Sequence, residues 1–252
     1  MTQRFSTDSA RAKSERAYDL AANYYDRWAW QSFWRENEFP IVRSLLLAAA
    51  PRRAVLDIGA GTGAFLSYAA PYLPPETRLV GVDVSRRMLE RAQSKLGSRA
   101  TLLKSDVQRG LPFRSGSFDS VLMMRVANHL FNLDTALVEI ARVLTPGGRF
   151  IVTDLAEEFD YDCTRIPTPN MTIDIETYKH TQADWLRALH SAGFSTINFS
   201  VYRNSDLHNA SAGHLGHKLD GRDTPIFCVG QATKDAAGTD QKQRRHPVVE
   251  RV

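Results

Sequence analysis

The stretch VLDIGAGTGAF, Val55 to Phe65, constrains this chain more than any other. A short run suited to a buried β-strand passes directly into Gly59, Gly61 and Gly63, and a helical pattern follows. A strand that turns through glycines into a helix is the usual ligand cradle of an open parallel α/β sheet, because glycine tolerates left-handed backbone and close approach of a ligand. The spacing is G-x-G-x-G, so the three-residue step of the dinucleotide fingerprint is missing. Asp57 stands two residues before the first glycine. A carboxylate there would repel a pyrophosphate at the helix N-terminus and attract a cation. A nucleoside carrying an ammonium and a sulfonium in place of phosphates therefore fits the turn.

Beyond Pro51, short β-branched runs alternate with amphipathic stretches. AVLDI, RLVGVD, TLLKSD, FDSVLMM, GRFIVTDL, TINFSVY and PIFCVGQAT read as strands, with helices over 62–72, 86–96, 134–144 and 182–192 between them. That order predicts an α/β fold whose mostly parallel sheet is covered on both faces. The last two strands have no helix between them and suit antiparallel pairing. Residues 11–50 are helical in pattern and rich in aromatics, predicting two or three helices ahead of the first strand. The division expected is a helical cap over 1–50, one core over 51–234 and a flexible tail over 235–252, with the first ten residues frayed. Connections over 157–180 and 203–224 are far longer than the usual few residues and read as a lid or a substrate wall.

Charge and cysteines narrow the classes. The 32 Lys and Arg against 28 Asp and Glu leave a net charge of +4, too little for a nucleic-acid footprint. Cys163 and Cys228 lie far apart, neither beside a second metal ligand, which suits a reduced cytoplasmic protein. No apolar run approaches the length of a membrane span, and the polar N-terminus lacks a signal-peptide core. His208, His214 and His217 fall in a glycine-rich polar segment. With no cysteine among them, a flexible loop is expected and no metal.

The ends of the next strands extend the glycine turn into a site. Asp83 closes RLVGVD twenty residues past Gly63, where an acid can accept both hydroxyls of a ribose. Asp106, in KSDV, could accept from an exocyclic adenine amine, while Met88 and Val107 could sandwich the ring. Taken singly, Asp57 and Asp83 also suit caps of the helices that follow.

VLDIGAGTGAF, LVGVDVS, KSDV, LPFRSGSFDSVLMM and VLTPGGRFIVTD, in that order, resemble the class I S-adenosylmethionine-dependent methyltransferases over residues 54–233. The resemblance implies a Rossmann-like, doubly wound seven-stranded sheet in the order 3-2-1-4-5-7-6 with its last strand antiparallel. It implies S-adenosylmethionine as cofactor and S-adenosylhomocysteine as product, held by Asp57, Gly59, Gly61, Asp83, Val84, Met88, Asp106 and Val107. Arg125 stands where many relatives have a small or apolar residue; it binds the methionine carboxylate or an anionic acceptor, or pairs with a surface acid. His129, after the fourth strand in VANHLF, is the candidate base or orienting group, its ordinary pKa suiting proton transfer near neutrality. Tyr24, Tyr25 and Trp28 either line the pocket from the cap, with a ring toward the sulfonium, or pack the core. Thr181 reads as a helix N-cap, and His180 before it faces either the substrate cavity or solvent.

Several acceptors are set aside by what is missing. MMRVANHLF after strand four has no Asn/Asp-Pro-Pro-aromatic run, the cysteines lack a nucleophile's context, and Asp154 has no matched acid for Mg²⁺. The expectation is a monomer or homodimer that methylates oxygen, nitrogen or activated carbon of a small molecule, plausibly in specialised metabolism. An RNA or protein methyltransferase, or a fold that uses the cofactor without methyl transfer, stays open.

Overall fold

The structure is a computed structural model that describes residues 2–51, 53–159, 163–168, 170–207 and 223–236. Its helices are α1 (Thr2–Ala21), α2 (Ala29–Ala48), α3 (Ala64–Ala69), α4 (Arg86–Leu96), α5 (Leu133–Val143) and α6 (Gln182–Ser191). The strands are β1 (Ala54–Ile58), β2 (Arg78–Asp83), β3 (Ala100–Lys104), β4 (Phe118–Met124), β5 (Leu144–Leu155), β6 (Cys163–Pro167), β7 (Thr172–Glu176), β8 (Phe194–Arg203) and β9 (Pro225–Lys234). Seven of them form one sheet in the order β3-β2-β1-β4-β5-β9-β8. The first five are parallel, and β9 runs antiparallel between β5 and β8. With the separate β6–β7 pair set aside, this is the expected order.

Every residue of β1 is buried because both faces of the sheet are covered. Alternation divides its side chains: Val55 packs with Val42 and Leu46 of α2 and Leu66 of α3, while Leu56 and Ile58 pack with Leu137 and Ile140 of α5 and Trp185 of α6. The caps follow the chemistry of their residues. Ser85 Oγ accepts from the Met88 N–H at 3.1 Å, and Thr181 shares a capping box with Asp184.

Two features depart from expectation. Helix α1 runs from Thr2, through residues whose lack of apolar periodicity suggested fraying. The long connection after β5 contains the β6–β7 hairpin, whose Ile166 and Ile175 pack against Ala17 and Ala21 of α1. Each hairpin strand buries a single apolar residue on this cluster, so little hydrophobic pattern announces it. The three loop histidines and most of the C-terminal tail lie outside the described residues. Among the described residues no helix is long and apolar enough to cross a membrane.

Candidate active site

A cavity of about 170 Å³ opens at the carboxyl ends of β1, β2 and β4. Its floor is the glycine turn. Gly59, Gly61 and Gly63 all take positive φ, at 72°, 53° and 71°, and a Cβ built on Gly59 would lie 2.2 Å from Val126 Cγ2. The turn is left-handed and crowded, which is why it needs glycine.

The acids divide their work. Asp83 ties β2 to the turn: one oxygen accepts from the Gly61 N–H and the other from the Ser85 N–H, both at 2.8 Å. Asp57 does not cap α3, whose N-cap is Gly63 with no side-chain cap bond. It lies 3% exposed on the cavity wall. Burial, with the Asp83 charge added, pushes its carboxyl up to about 8, and burial raises Asp83 to about 6. Such carboxyls favour a cationic ligand that would compensate them. Asp106 accepts from the Gln108 N–H at 2.9 Å and pairs with Arg11 of α1 at 2.6 Å. Met88 and Val107 are buried and line the cavity beside Val84.

The opposite wall comes from the loop after β4. Arg125 lines the cavity, and its guanidinium pairs with Glu38 of α2. The sequence suggested a surface acid as one partner for Arg125; the acid it pairs with is instead fully buried. His129 Nε2 lies 2.9 Å from the Tyr18 hydroxyl. Burial lowers the imidazole to about 4, so it is neutral at physiological pH and does not titrate near neutrality as its ordinary pKa suggested.

Three cap aromatics were candidates for the cavity, and only Tyr25 reaches it. Tyr24 is 40% exposed, and Trp28 packs on Tyr25 with ring centroids 4.7 Å apart. His180 does not line this cavity. Its Nε2–H donates to the carbonyls of Ala127 and Leu130, at 3.1 and 2.9 Å, so it braces the loop that carries His129. Sequence reasoning missed Arg11, Ser14 and Tyr18, which line the cavity from α1. They share one helical face, but that stripe becomes a site only where α1 crosses the mouth. Among the described residues no cluster of three or more His, Cys, Asp or Glu side chains could hold a metal.

A left-handed glycine cradle, an acid at the end of each of the first two strands and a roof of helix and hairpin give the cavity the layout expected from the sequence. Residues 56–152 match a family model described as a methyltransferase domain. The chain is 26% identical over 227 residues to the O-methyltransferase cnsE of Penicillium expansum, covering 82% of this chain and 81% of that protein. It is 30% identical over 146 residues to the demethylmenaquinone methyltransferase of Tropheryma whipplei (strain Twist), covering 58% and 60%. For several other curated relatives it spans less than half of their length. A solved structure from Thermotoga maritima, described as a possible histamine N-methyltransferase, superposes with a TM-score of 0.64 at 22% identity, covering 88% of this chain and 99% of that one. Residues 56–152 thus carry a methyltransferase domain, in the fold of solved S-adenosylmethionine-dependent methyltransferases.

Proposed function

We propose that this protein transfers the methyl group of S-adenosylmethionine to an oxygen, nitrogen or activated carbon of a small organic molecule in specialised metabolism. The observation that carries the small acceptor is the roof. Tyr18 and Tyr25 from the cap, with Ile175 and Glu176 from the hairpin, line the cavity opposite the glycine turn, where a polymer substrate would need an open groove. Relatives named as an O-methyltransferase and a demethylmenaquinone methyltransferase agree with that reading.

When bound, the cofactor supplies an electrophilic methyl on a positively charged sulfur, so the protein's share is alignment, desolvation and proton handling. Asp57 would hold the ammonium and Asp83 the ribose hydroxyls, while Met88 and Val107 would clamp the adenine and Asp106 would accept from its amine. The neutral His129 and the Tyr18 hydroxyl form one hydrogen-bonded unit beside Arg125, and they orient the acceptor's nucleophilic atom.

Calorimetric titration with S-adenosylmethionine, S-adenosylhomocysteine and NADH tests the cofactor half. Micromolar binding of the sulfur nucleosides and none of NADH is expected; the reverse would sink it. Methyl transfer from labelled donor to a panel of small hydroxylated and amino acceptors, against total RNA and protein, tests the other half. Label appearing only in RNA or protein would overturn the small-molecule reading.

A further inference from the structure

The pairing of Arg125 with Glu38 gives the cavity a strong hydrogen-bond donor with little net charge. Arg125 opens the loop after β4 in the left-handed region, with φ 54°, a conformation that costs a non-glycine residue on the order of 1 kcal/mol. Its backbone N–H donates to the Thr153 carbonyl at 2.8 Å. Glu38 is fully buried; one oxygen pairs with Arg125 Nη1, and the other accepts from the Thr153 hydroxyl at 2.6 Å. The ring of Trp34 lies 4.7 Å from the guanidinium carbon. A carboxylate and an aromatic face thus fix the group, while 18% of the side chain stays exposed and it lines the cavity.

A guanidinium carries five N–H donors; Nη1 is committed to Glu38 and the Tyr25 side chain takes a further contact, which leaves donors over for an acceptor. An acceptor molecule bearing a carboxylate would bring a second anion toward a cation already compensated, in a cavity that Asp57, Asp83 and Glu176 also line. A carbonyl, phenol or enol oxygen takes a donor from Arg125 without that repulsion. We infer that Arg125 is the subsite for an acceptor's oxygen, and that Glu38 sets its selectivity for uncharged acceptors over carboxylates. The inference rests on the methyltransferase reading of the cavity. Glu38 acts through Arg125 and is a positioning residue; without its charge, Arg125 presents a net cation and the preference reverses.

Benzamide and benzoate are the probes, titrated by ligand-observed NMR against the full chain saturated with S-adenosylhomocysteine. The wild type is expected to bind benzamide at least about tenfold tighter than benzoate. Glu38→Gln, which keeps the shape and can still hydrogen bond, is expected to bring benzoate level with benzamide or past it, and Arg125→Gln to lose benzamide. Equal binding of both probes to the wild type, binding of neither, or an unchanged ratio in Glu38→Gln would overturn the subsite. Should Glu38→Gln fail to fold, the wild-type ratio and Arg125→Gln decide. Calorimetry with S-adenosylhomocysteine keeps the two levels apart. Nucleoside binding with no probe selectivity rejects this subsite alone, whereas a wild type that binds no nucleoside rejects the methyltransferase reading. An Arg125→Gln chain that loses nucleoside affinity tenfold yet keeps benzamide would assign Arg125 to the cofactor and overturn the inference.

Discussion

The Tyr18 hydroxyl lies 2.9 Å from His129 Nε2 across 111 residues of sequence, joining the cap to the loop after β4 inside the cavity. The other ring nitrogen, Nδ1, is buried with no hydrogen-bond partner among the described residues. A buried N–H without an acceptor is rarer than a buried acceptor without a donor. The favoured tautomer therefore carries its proton on Nε2 and donates to the tyrosine oxygen, leaving the tyrosine O–H to point elsewhere in the site.

Tyr18→Phe removes that hydroxyl while keeping the ring that packs edge-on against Tyr25 and His129. Methyl transfer should fall by about tenfold or more, in the range of a lost orienting or proton-handling contact, with affinity for S-adenosylhomocysteine unchanged. Steady-state kinetics beside calorimetry reads both quantities. A fall in nucleoside affinity with no effect on turnover would place Tyr18 on the cofactor instead.

Cofactor binding should release a proton. Asp57 is raised to about 8 and Asp83 to about 6, in both cases chiefly by burial, so the free protein at pH 7 holds Asp57 largely protonated. A bound ammonium favours the ionised carboxylate, and the proton must leave below about pH 8. Affinity for S-adenosylhomocysteine should then rise with pH from 6 to 8 and level off as Asp57 ionises unaided. Titrations at pH 7 in buffers of different ionisation enthalpy count the proton. Flat affinity with no release would contradict the assignment, and Asp57→Asn should abolish the effect.

How much of this site was readable in the sequence depends on where each residue lies. That Asp57, Asp83 and Asp106 would share a cavity was legible because they stand at or just past the ends of successive strands, at spacings tied to the glycine turn, and the topology brings strand ends together. The cap side of the cavity was not. Tyr18 and Arg11 reach the cavity because α1 packs on the hairpin and is tied by Asp19 to Ser85 and by Glu15 to Lys104, contacts between distant residues that leave little periodic trace in the sequence. Glu38 lies inside an aromatic helix, where an acid reads as surface charge until its buried partner is known. The behaviour of His129 was misjudged for a related reason: burial sets its pKa, and burial belongs to the tertiary structure.

The glycines should differ in their tolerance of a methyl group. A Cβ at Gly59 meets both a positive φ and Val126 Cγ2, whereas at Gly61 it meets a positive φ with its nearest neighbour 3.9 Å away. Gly61→Ala should cost about 1–2 kcal/mol from backbone strain alone. Gly59→Ala should cost roughly 1–3 kcal/mol more through overpacking, and Val126→Ala in the same chain should recover much of that difference. Urea unfolding of the four proteins checks the order. Equal losses at the two glycines would show that the Val126 contact is relieved at no cost.

His180 should matter to turnover without touching either substrate. Its single Nε2–H is shared by the carbonyls of Ala127 and Leu130, at 3.1 and 2.9 Å, on either side of His129. The Ala127 carbonyl keeps the Leu130 N–H at 2.8 Å, so His180→Ala strands chiefly the Leu130 carbonyl, which water reaches poorly, at a cost of about 1–3 kcal/mol. The loop that carries His129 then loosens, and kcat should fall while the KM for S-adenosylmethionine holds, because Asp57 and Asp83, the acids proposed to hold it, lie on β1 and β2. His180→Gln offers an amide N–H to the same carbonyls and should restore part of both losses. A His180→Ala enzyme with raised KM for the acceptor and unchanged stability would return His180 to the substrate cavity, where the bracing geometry gives it no place.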